Sequence, residues 1–357
     1  MTGRRRWIGP SAGFLLTVAL LAAACSGTTA TPTVLDTTGP SPTTSILPPV
    51  SEMPTPNATA TPSPTAAPTA SPTPVRPTSG NVVAWGDDSS GQTDVPAGLT
   101  GVVAVAAGDE FSLALKSDGT VVGWGGSGSE AQVPAGLSNV TAISAGSYFA
   151  LALKKDGTVV GWGDSTYDQT KPPAGLSGVV QISAAGTHSL ALKSDGTVVA
   201  WGSDDQGESD VPAGLKNVAY VSAGYDFSLA VLDDGTVAAW GDKNPTDTTV
   251  HLTQVPSGLS GVVAASAGYF HSLALKGDGT VVAWGQNSDG QSTIPAGLAG
   301  VAAVAAGGNF SLALKSDGTV AAWGGNDAGQ VTLPPRLTDV IAIDAGGSHA
   351  LAVVGVS

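Results

Sequence analysis

Seven Trp-Gly dipeptides, at Trp85, Trp124, Trp162, Trp201, Trp240, Trp284 and Trp323, recur at intervals of 39, 38, 39, 39, 44 and 39 residues. A marker this regular admits repeat architectures, in which each copy is one supersecondary unit that buries its faces against its neighbours. In the copy that follows Trp85, Val102 to Ala107 is a run of β-branched and small residues ending at Ala107-Gly108. A few variable residues follow, then Ser112-Leu113-Ala114-Leu115-Lys116, Asp118-Gly119 and Thr120-Val121-Val122-Gly123-Trp124-Gly125. The pattern predicts strand, turn, strand, hairpin, strand. Asp-Gly recurs at Asp156, Asp195, Asp234, Asp278 and Asp317, and the pair is expected to supply the positive backbone angles of a two-residue hairpin. Both faces of each strand are apolar or small, as in a sheet covered on both sides. Gln92 to Pro96 is expected to add a short outer edge, and Pro-Ala-Gly-Leu, as at Pro96 to Leu99, to turn the chain into the next copy.

The ends of the array complement each other. Six hairpins carry Asp-Gly-Thr, yet there are seven Ala-Gly strands and seven Trp-Gly strands. The last unit, Val340 to Val354, stops before its Trp strand, while Asn81 to Gly86 is a Trp strand with no hairpin before it. Pairing the two completes a seventh sheet and removes open edges. The expected fold is therefore all-β, a seven-bladed β-propeller over residues 80–357, closed by pairing of the N-terminal strand with the C-terminal blade. A linear stack would instead want polar capping units at both ends.

The string A-G-x-x-x-S-L-A-L-K-x-D-G-T-V-x-x-W-G covers nearly all of residues 81–354 and resembles the regulator of chromosome condensation repeat family. The W-G-x-N-x-x-G-Q-x-x-x-P segments, as at Trp284 to Pro295, resemble its bacterial branch, that of beta-lactamase inhibitory protein II. The resemblance implies a propeller that binds a protein. In that inhibitor, aromatics of the Ala-Gly turns and acids after Trp-Gly contact the enzyme, and the matching positions here include Tyr148, Phe270, Asp87 and Asp164. Other matching positions carry Glu110, Asp226, Asn309 and Ser348, which departs from the aromatic set.

Upstream of the repeats the composition changes. Arg4, Arg5 and Arg6, an apolar stretch centred on Phe14 to Leu21, and Ala22 to Ala24 have the layout of an export signal over residues 1–24. Cys25, the only cysteine, resembles the lipobox cysteine of bacterial lipoproteins and is the expected lipidation site. The apolar run is interrupted by Gly9, Pro10 and Gly13 and is too short to span a bilayer. Residues 25–79 are dominated by Thr, Pro, Ser and Ala and read as a disordered tether that holds the repeats away from the membrane. Without Arg4, Arg5 and Arg6, 11 of the 14 basic residues remain against 28 acidic ones, a net charge of −17. That balance repels nucleic acid and anionic membrane surfaces. The chain is thus expected to be an exported monomer, anchored through lipid on Cys25, with its propeller extracellular or periplasmic.

Strand alternation places the Ala-Gly turns and the loops after Trp-Gly on one rim and the Asp-Gly hairpins on the other. The hairpins are nearly uniform, whereas the upper turns differ in every copy: Asp109-Glu110-Phe111, Ser147-Tyr148-Phe149, Thr187-His188, Tyr225-Asp226-Phe227, Tyr269-Phe270-His271, Gly308-Asn309-Phe310 and Gly347-Ser348-His349. Such divergence suits a surface shaped for a nonidentical partner, and drift on an unused surface is the alternative. The candidate partner-binding residues are Asp87, Glu110, Tyr148, Asp164, Asp226, His251, Phe270 and Asn309. His251 lies in the five-residue insertion between Trp240 and Pro256, and loops of this kind often carry function.

Other patterns weigh less. The tryptophans end core strands, so packing is preferred to sugar stacking. His188, His271 and His349 are equivalent but occur in three copies only, which favours a structural role over a metal ring. Gly123, Gly125 and Gly128 match G-x-G-x-x-G without a following helix. Asp204 to Asp210 has oxygen ligands for calcium without the spacing of a known loop. The reading is a non-enzymatic, cofactor-free protein-binding module whose partner the sequence does not name. A narrower form is inhibition of a β-lactamase or penicillin-binding protein. Readings of another class are a wall-polysaccharide enzyme using His251 and the Asp204 to Asp210 acids, or a guanine-nucleotide exchange factor.

Overall fold

Each repeat folds because its three apolar runs are long enough for strands and too short for helices. In the computed structural model, which describes the backbone of Ala12–Gly13, residues 78–243 and residues 251–356, no helix occurs among the described residues. The expected signal peptide, apart from a two-residue pairing of Ala12 and Gly13 with Ala185 and Ala184, lies outside the described residues. So do Cys25, nearly all of the expected tether, and residues 244–250 of the insertion.

The repeating unit is an antiparallel meander. In the first full copy an inner strand, Val102–Ala107, pairs with a middle strand, Phe111–Lys116, which pairs with an outer strand, Val121–Gly125. A register shift between Val102 and Ala104 marks a bulge, and the same shift recurs in the inner strands from Val140, Val218, Val262, Val301 and Val340. Bulges increase local twist, as a strongly twisted blade requires. Four sheets contain three strands each, and a fifth contains three plus Ala12–Gly13.

The sixth sheet joins the two ends of the array. It runs in the order Val340–Ala345, His349–Gly355, Gly80–Gly86, Val102–Ala107, Phe111–Lys116, Val121–Gly125. The N-terminal strand pairs along its whole length with the C-terminal one, from Gly80↔Gly355 to Gly86↔His349. It touches the next strand only through Gly80↔Val102.

The core lies between sheets. Phe111, Leu113 and Leu115 of one repeat pack against Val140, Ile143 and Ala152 of the next, under Trp162. Leu351 and Val353 pack in the same way against Val102, Val105 and Trp124. Each indole Nε1 donates to a main-chain carbonyl of the preceding outer loop: Trp124 to Gln92 at 2.9 Å, Trp162 to Glu130 at 2.8 Å, Trp201 to Gln169 at 2.8 Å and Trp85 to Gln330 at 2.9 Å.

Two local expectations need correction. The Asp-Gly hairpin is a three-residue loop, because only glycine takes a positive φ: Gly119 lies at +78° and Asp118 does not. Lys116 N donates to Thr120 O and Gly119 N to Lys116 O, the pattern of a turn closed by a glycine bulge. Asp118 is selected by its side chain instead, since Oδ1 accepts from Thr120 N at 3.0 Å and from Thr120 Oγ1 at 2.6 Å. Gln92 to Pro96 forms turns, with no edge strand. Its carbonyls are engaged locally, as in the bond from Val95 N to Thr93 O, or by the Trp indole.

Candidate functional site

Consecutive antiparallel strands bring the Ala-Gly turn and the loop after Trp-Gly to the same end, and backbone bonds fasten them. Asp87 N donates to Ser348 O, Asp164 N to Tyr148 O, Asp242 N to Asp226 O, Gln286 N to Phe270 O and Gly325 N to Asn309 O, at 2.6–2.9 Å. A second set links the turns of successive repeats, including Asp109 N to Ser147 O, Ser147 N to Gly186 O and Gly308 N to Gly346 O. Gly347 N reaches Gly108 O at 3.4 Å and so joins the last turn to the first. These turns and loops form the upper face, and the Asp-Gly hairpins form the lower one.

The two faces differ in charge balance. On the lower face lysine and aspartate pair within one hairpin, Lys116 with Asp118, Lys154 with Asp156, Lys193 with Asp195, Lys276 with Asp278 and Lys315 with Asp317. The Thr120 hydroxyl and amide, aided by Lys116, hold the Asp118 carboxyl down at about 2. In the upper turns and loops the described basic residues are Lys171 and Lys243, each already paired, with Asp168 and Asp210. Most upper-face carboxylates therefore have no cationic partner.

The upper face has a compact aromatic and acidic cluster. The rings of Tyr225, Tyr269 and Phe270 lie 5.9–6.1 Å apart, two of the three pairs edge to face, an arrangement favoured by the ring quadrupoles. Tyr269 Oη donates to Asp109 Oδ1 at 3.0 Å, linking turns 160 residues apart. Burial pushes the Asp109 carboxyl well above its ordinary range, opposed chiefly by the Tyr269 hydroxyl. Burial, with the charges of Asp109, Glu110 and Glu130, raises Tyr148 to about 12. Tyr225 rises to about 12 through burial and then Asp226. Asp226 itself is pushed up to about 7 by burial and then by Glu208, Asp242 and Asp205.

The residues singled out in the sequence all lie in upper turns and loops, in different settings. Phe270 belongs to the ring cluster; Tyr148, Glu110 and Asp226 are half-buried, and Tyr148 and Asp226 interact electrostatically with Tyr225. Glu110 Oε2 accepts from Ser90 Oγ at 3.2 Å. Asn309 and His251 are exposed, and the latter interacts electrostatically with Asp242. Asp87 and Asp164 organise their own loops: Asp87 accepts from Ser89 N and from Gln92 Nε2 at 3.0 Å, and Asp164 from Thr166 N and from Gln169 Nε2 at 3.1 Å. Asp109, Tyr225 and Tyr269 were not singled out. The available signal was that tyrosine directly follows Ala-Gly in two copies and a carboxylate does so in one.

The equivalent histidines are fully buried and each reaches the following repeat. Nε2 of His188 bonds Ser228 Oγ at 2.8 Å, His271 bonds Ser311 at 2.9 Å, and His349 bonds Ser112 at 2.9 Å. Each serine hydroxyl donates to a carbonyl, of Glu208, Gln291 and Gln92 respectively, so the imidazole must be the Nε2–H donor. Burial lowers the three to about 3, about 3 and about 4. They replace Phe111, Phe149, Phe227 and Phe310 of the other repeats. Among the described residues no three His, Cys, Asp or Glu side chains are grouped to hold a metal. The Asp204 to Asp210 loop directs carboxylates to its own backbone and to Lys243.

An all-β array of three-stranded, mutually packed blades defines a β-propeller. Residues 102–131, 140–169, 179–208, 218–244, 262–291 and 301–330 match the regulator of chromosome condensation (RCC1) repeat, and the chain belongs to that repeat family. Among solved structures it is similar to Prp20p from Saccharomyces cerevisiae, at 19% identity over 79% of this chain and 93% of that one, with a TM-score of 0.66. It is also similar to human WBSCR16, at 19% identity over 77% and 98% of the two chains, TM-score 0.56. The ectodomain of the Arabidopsis thaliana receptor kinase ACR4 matches at 19% identity over 69% and 93%, TM-score 0.53. These likenesses concern the fold. No curated protein matches the chain.

Proposed function

We propose that this chain is an exported lipoprotein whose closed, seven-bladed propeller binds another protein through its upper face and catalyses no reaction. Closure is supported by the full-length pairing of Gly80–Gly86 with His349–Gly355 and by the Trp85 bond to Gln330. With the six-stranded sheet read as two blades sharing the single pair Gly80↔Val102, the blades number seven. Export and anchoring rest on the arginine, apolar and small-residue pattern that precedes Cys25.

The observation that carries the binding role is the contrast between faces. One is uniform and ion-paired within itself; the other differs in every copy, gathers buried and half-buried aromatics and leaves most of its acids without cations. Aromatic anchors dominate protein–protein hot spots, and charge complementarity steers the encounter. Prp20p, which is similar in fold, has binding properties to Gsp1p and histones, and this supports a binding role for a propeller of this kind.

The test is capture of partners from a cell-envelope fraction by the full chain, compared with Tyr148→Ala, Phe270→Ala and the lower-face variant Lys154→Ala. A partner retained by Lys154→Ala and lost with both upper-face variants supports the assignment. Equal retention by all three would move the working surface elsewhere. The narrower reading, from the resemblance to beta-lactamase inhibitory protein II, is tested by inhibition of β-lactamase and penicillin-binding protein activity.

A further inference from the structure

We propose that the six Asp-Gly-Thr hairpins of the lower face are latent sites of spontaneous isoaspartate formation, each held closed by the hydroxyl of its threonine. The proposal is independent of which face binds a partner.

The chemistry that threatens these turns needs only water. The main-chain nitrogen that follows an aspartate attacks the side-chain Cγ. That nitrogen gives up its proton, the carboxyl loses an oxygen as water, and a five-membered imide closes. Water then opens the imide at the former main-chain carbonyl, which leaves the chain running through Cβ and Cγ. One water leaves and one returns, with no oxidant or reductant. Glycine after the aspartate hinders the attack least, because it has no Cβ. All six aspartates are exposed to the solvent that completes the reaction.

The hairpin holds both reacting groups away from each other. Asp156 Oδ1 accepts from Thr158 N at 3.0 Å and from Thr158 Oγ1 at 2.6 Å. The hydroxyl bond recurs in the other five hairpins at 2.5–2.6 Å. The nucleophile is engaged on the opposite side of the turn, since Gly157 N donates to Lys154 O at 2.9 Å. For ring closure Cγ must leave Thr158 and swing toward an amide that has left Lys154. The carboxyl must also be protonated to release water, and the Thr158 hydroxyl and amide, aided by Lys154, hold Asp156 below its ordinary range.

The threonine, and not the lysine, is the element common to all six. Leu232 stands at the lysine position before Asp234, yet Thr236 makes both bonds there, at 2.9 and 2.6 Å. The blade has a use for this protection. Isomerisation would add one backbone atom between Leu153 and Val159, whose pairing sets the register that places Trp162.

The test incubates the full chain at neutral pH, well below its melting temperature, and reads isoaspartate at each hairpin by peptide mapping. The five unaltered hairpins serve as standards within the same molecule. Thr158→Val, which keeps the shape and the amide, is expected to raise isoaspartate at Asp156 by about fivefold over those standards, the factor that one ordinary net hydrogen bond is worth. Thr158→Ser is expected to restore the parent level. Val159→Ala loosens the same hairpin with Thr158 in place, and is expected to raise it far less. Equal accumulation in Thr158→Val and the parent overturns the proposal. So does a rise in Val159→Ala or in Thr158→Ser that matches Thr158→Val, since either would make general loosening the cause. Should Thr158→Val fail to fold, Thr319→Val, read at Asp317, takes its place under the same criteria.

Discussion

Trp85 Nε1 donates to the carbonyl oxygen of Gln330 at 2.9 Å across 245 residues of chain, a bond equivalent to those that Trp124, Trp162, Trp201, Trp240, Trp284 and Trp323 make across 32. The indole is 7% exposed and packs with Phe310, Leu312 and Ile343. The first strand therefore stands where the last repeat lacks an outer strand.

If the ends are integral to a closed ring, Trp85→Ala should cost as much as Trp201→Ala. Truncating a buried tryptophan removes its packing and an indole hydrogen bond, about 3–5 kcal/mol. Denaturant unfolding of both variants checks this. A near-neutral Trp85→Ala beside a destabilised Trp201→Ala would show that the N-terminal strand is peripheral.

His188 sits where other repeats carry phenylalanine, and the pair it makes with Ser228 has a natural replacement in Phe149 beside Ser189, whose hydroxyl still donates to Gln169 O at 2.8 Å. His188→Phe should therefore change stability by less than about 1 kcal/mol at pH 8. Below that pH the variant should gain on the parent. The folded imidazole titrates near about 3 against an ordinary 6.5, so between these values the unfolded chain binds the extra proton and stability falls as pH falls. The slope approaches about 1.4 kcal/mol per pH unit for each such histidine. Melting curves from pH 7 to pH 4 read the difference directly, and parallel curves for parent and variant would contradict it.

The repeats and the strand order were legible because each depends on residues adjacent in sequence or one period apart, and the pairing of Asn81 to Gly86 with the chain's end was legible because the last copy lacks the Trp strand that these residues supply. The hairpin loop was misjudged because Asp-Gly suits two turn classes, and the side-chain bond from Thr120 to Asp118 decides between them. The histidine pairs were missed for a different reason. Ser189 and Ser272 adjoin histidines within their own strands, yet the true partners, Ser228 and Ser311, lie 40 residues on in the neighbouring blade. The Asp109 and Tyr269 bond was less legible still, since the curvature of the array decides which turns meet across 160 residues. Whether the upper-face residues bind a partner is a separate matter from their placement.

Gly108 gives a test of how tightly that face is built. A methyl group there would overlap the Phe111 ring, as one at Gly224 would overlap Phe227. Gly108→Ala should destabilise the fold by about 1–3 kcal/mol through overpacking. Because the displaced turn carries Asp109 and Glu110, binding at the upper face should weaken with it. By contrast, a methyl group at Gly98 meets no atom within 4 Å, so Gly98→Ala should carry only the backbone strain of its φ of +78°. Thermal melts of the two variants separate the causes.

Asp226 links the stability of this face to its chemistry. Its folded carboxyl titrates at about 7 against an ordinary 3.8, through burial and then repulsion by Glu208, Asp242 and Asp205. A raised acid pKa means that the folded chain holds the proton longer than the unfolded one, so stability is fully present below about pH 4 and declines as pH rises toward 7. Asp226→Asn removes the charge and keeps the shape. The variant should melt with the parent near pH 4, above it at pH 8, and more weakly attract a basic ligand at pH 8. The gain in melting temperature should build up between about pH 4 and pH 7, where the unfolded parent is ionised and the folded carboxyl still holds its proton, and level off above about 7, where the folded carboxyl ionises as well. A variant that melts identically to the parent at pH 8 would mean that Asp226 is already relieved of its neighbours' repulsion.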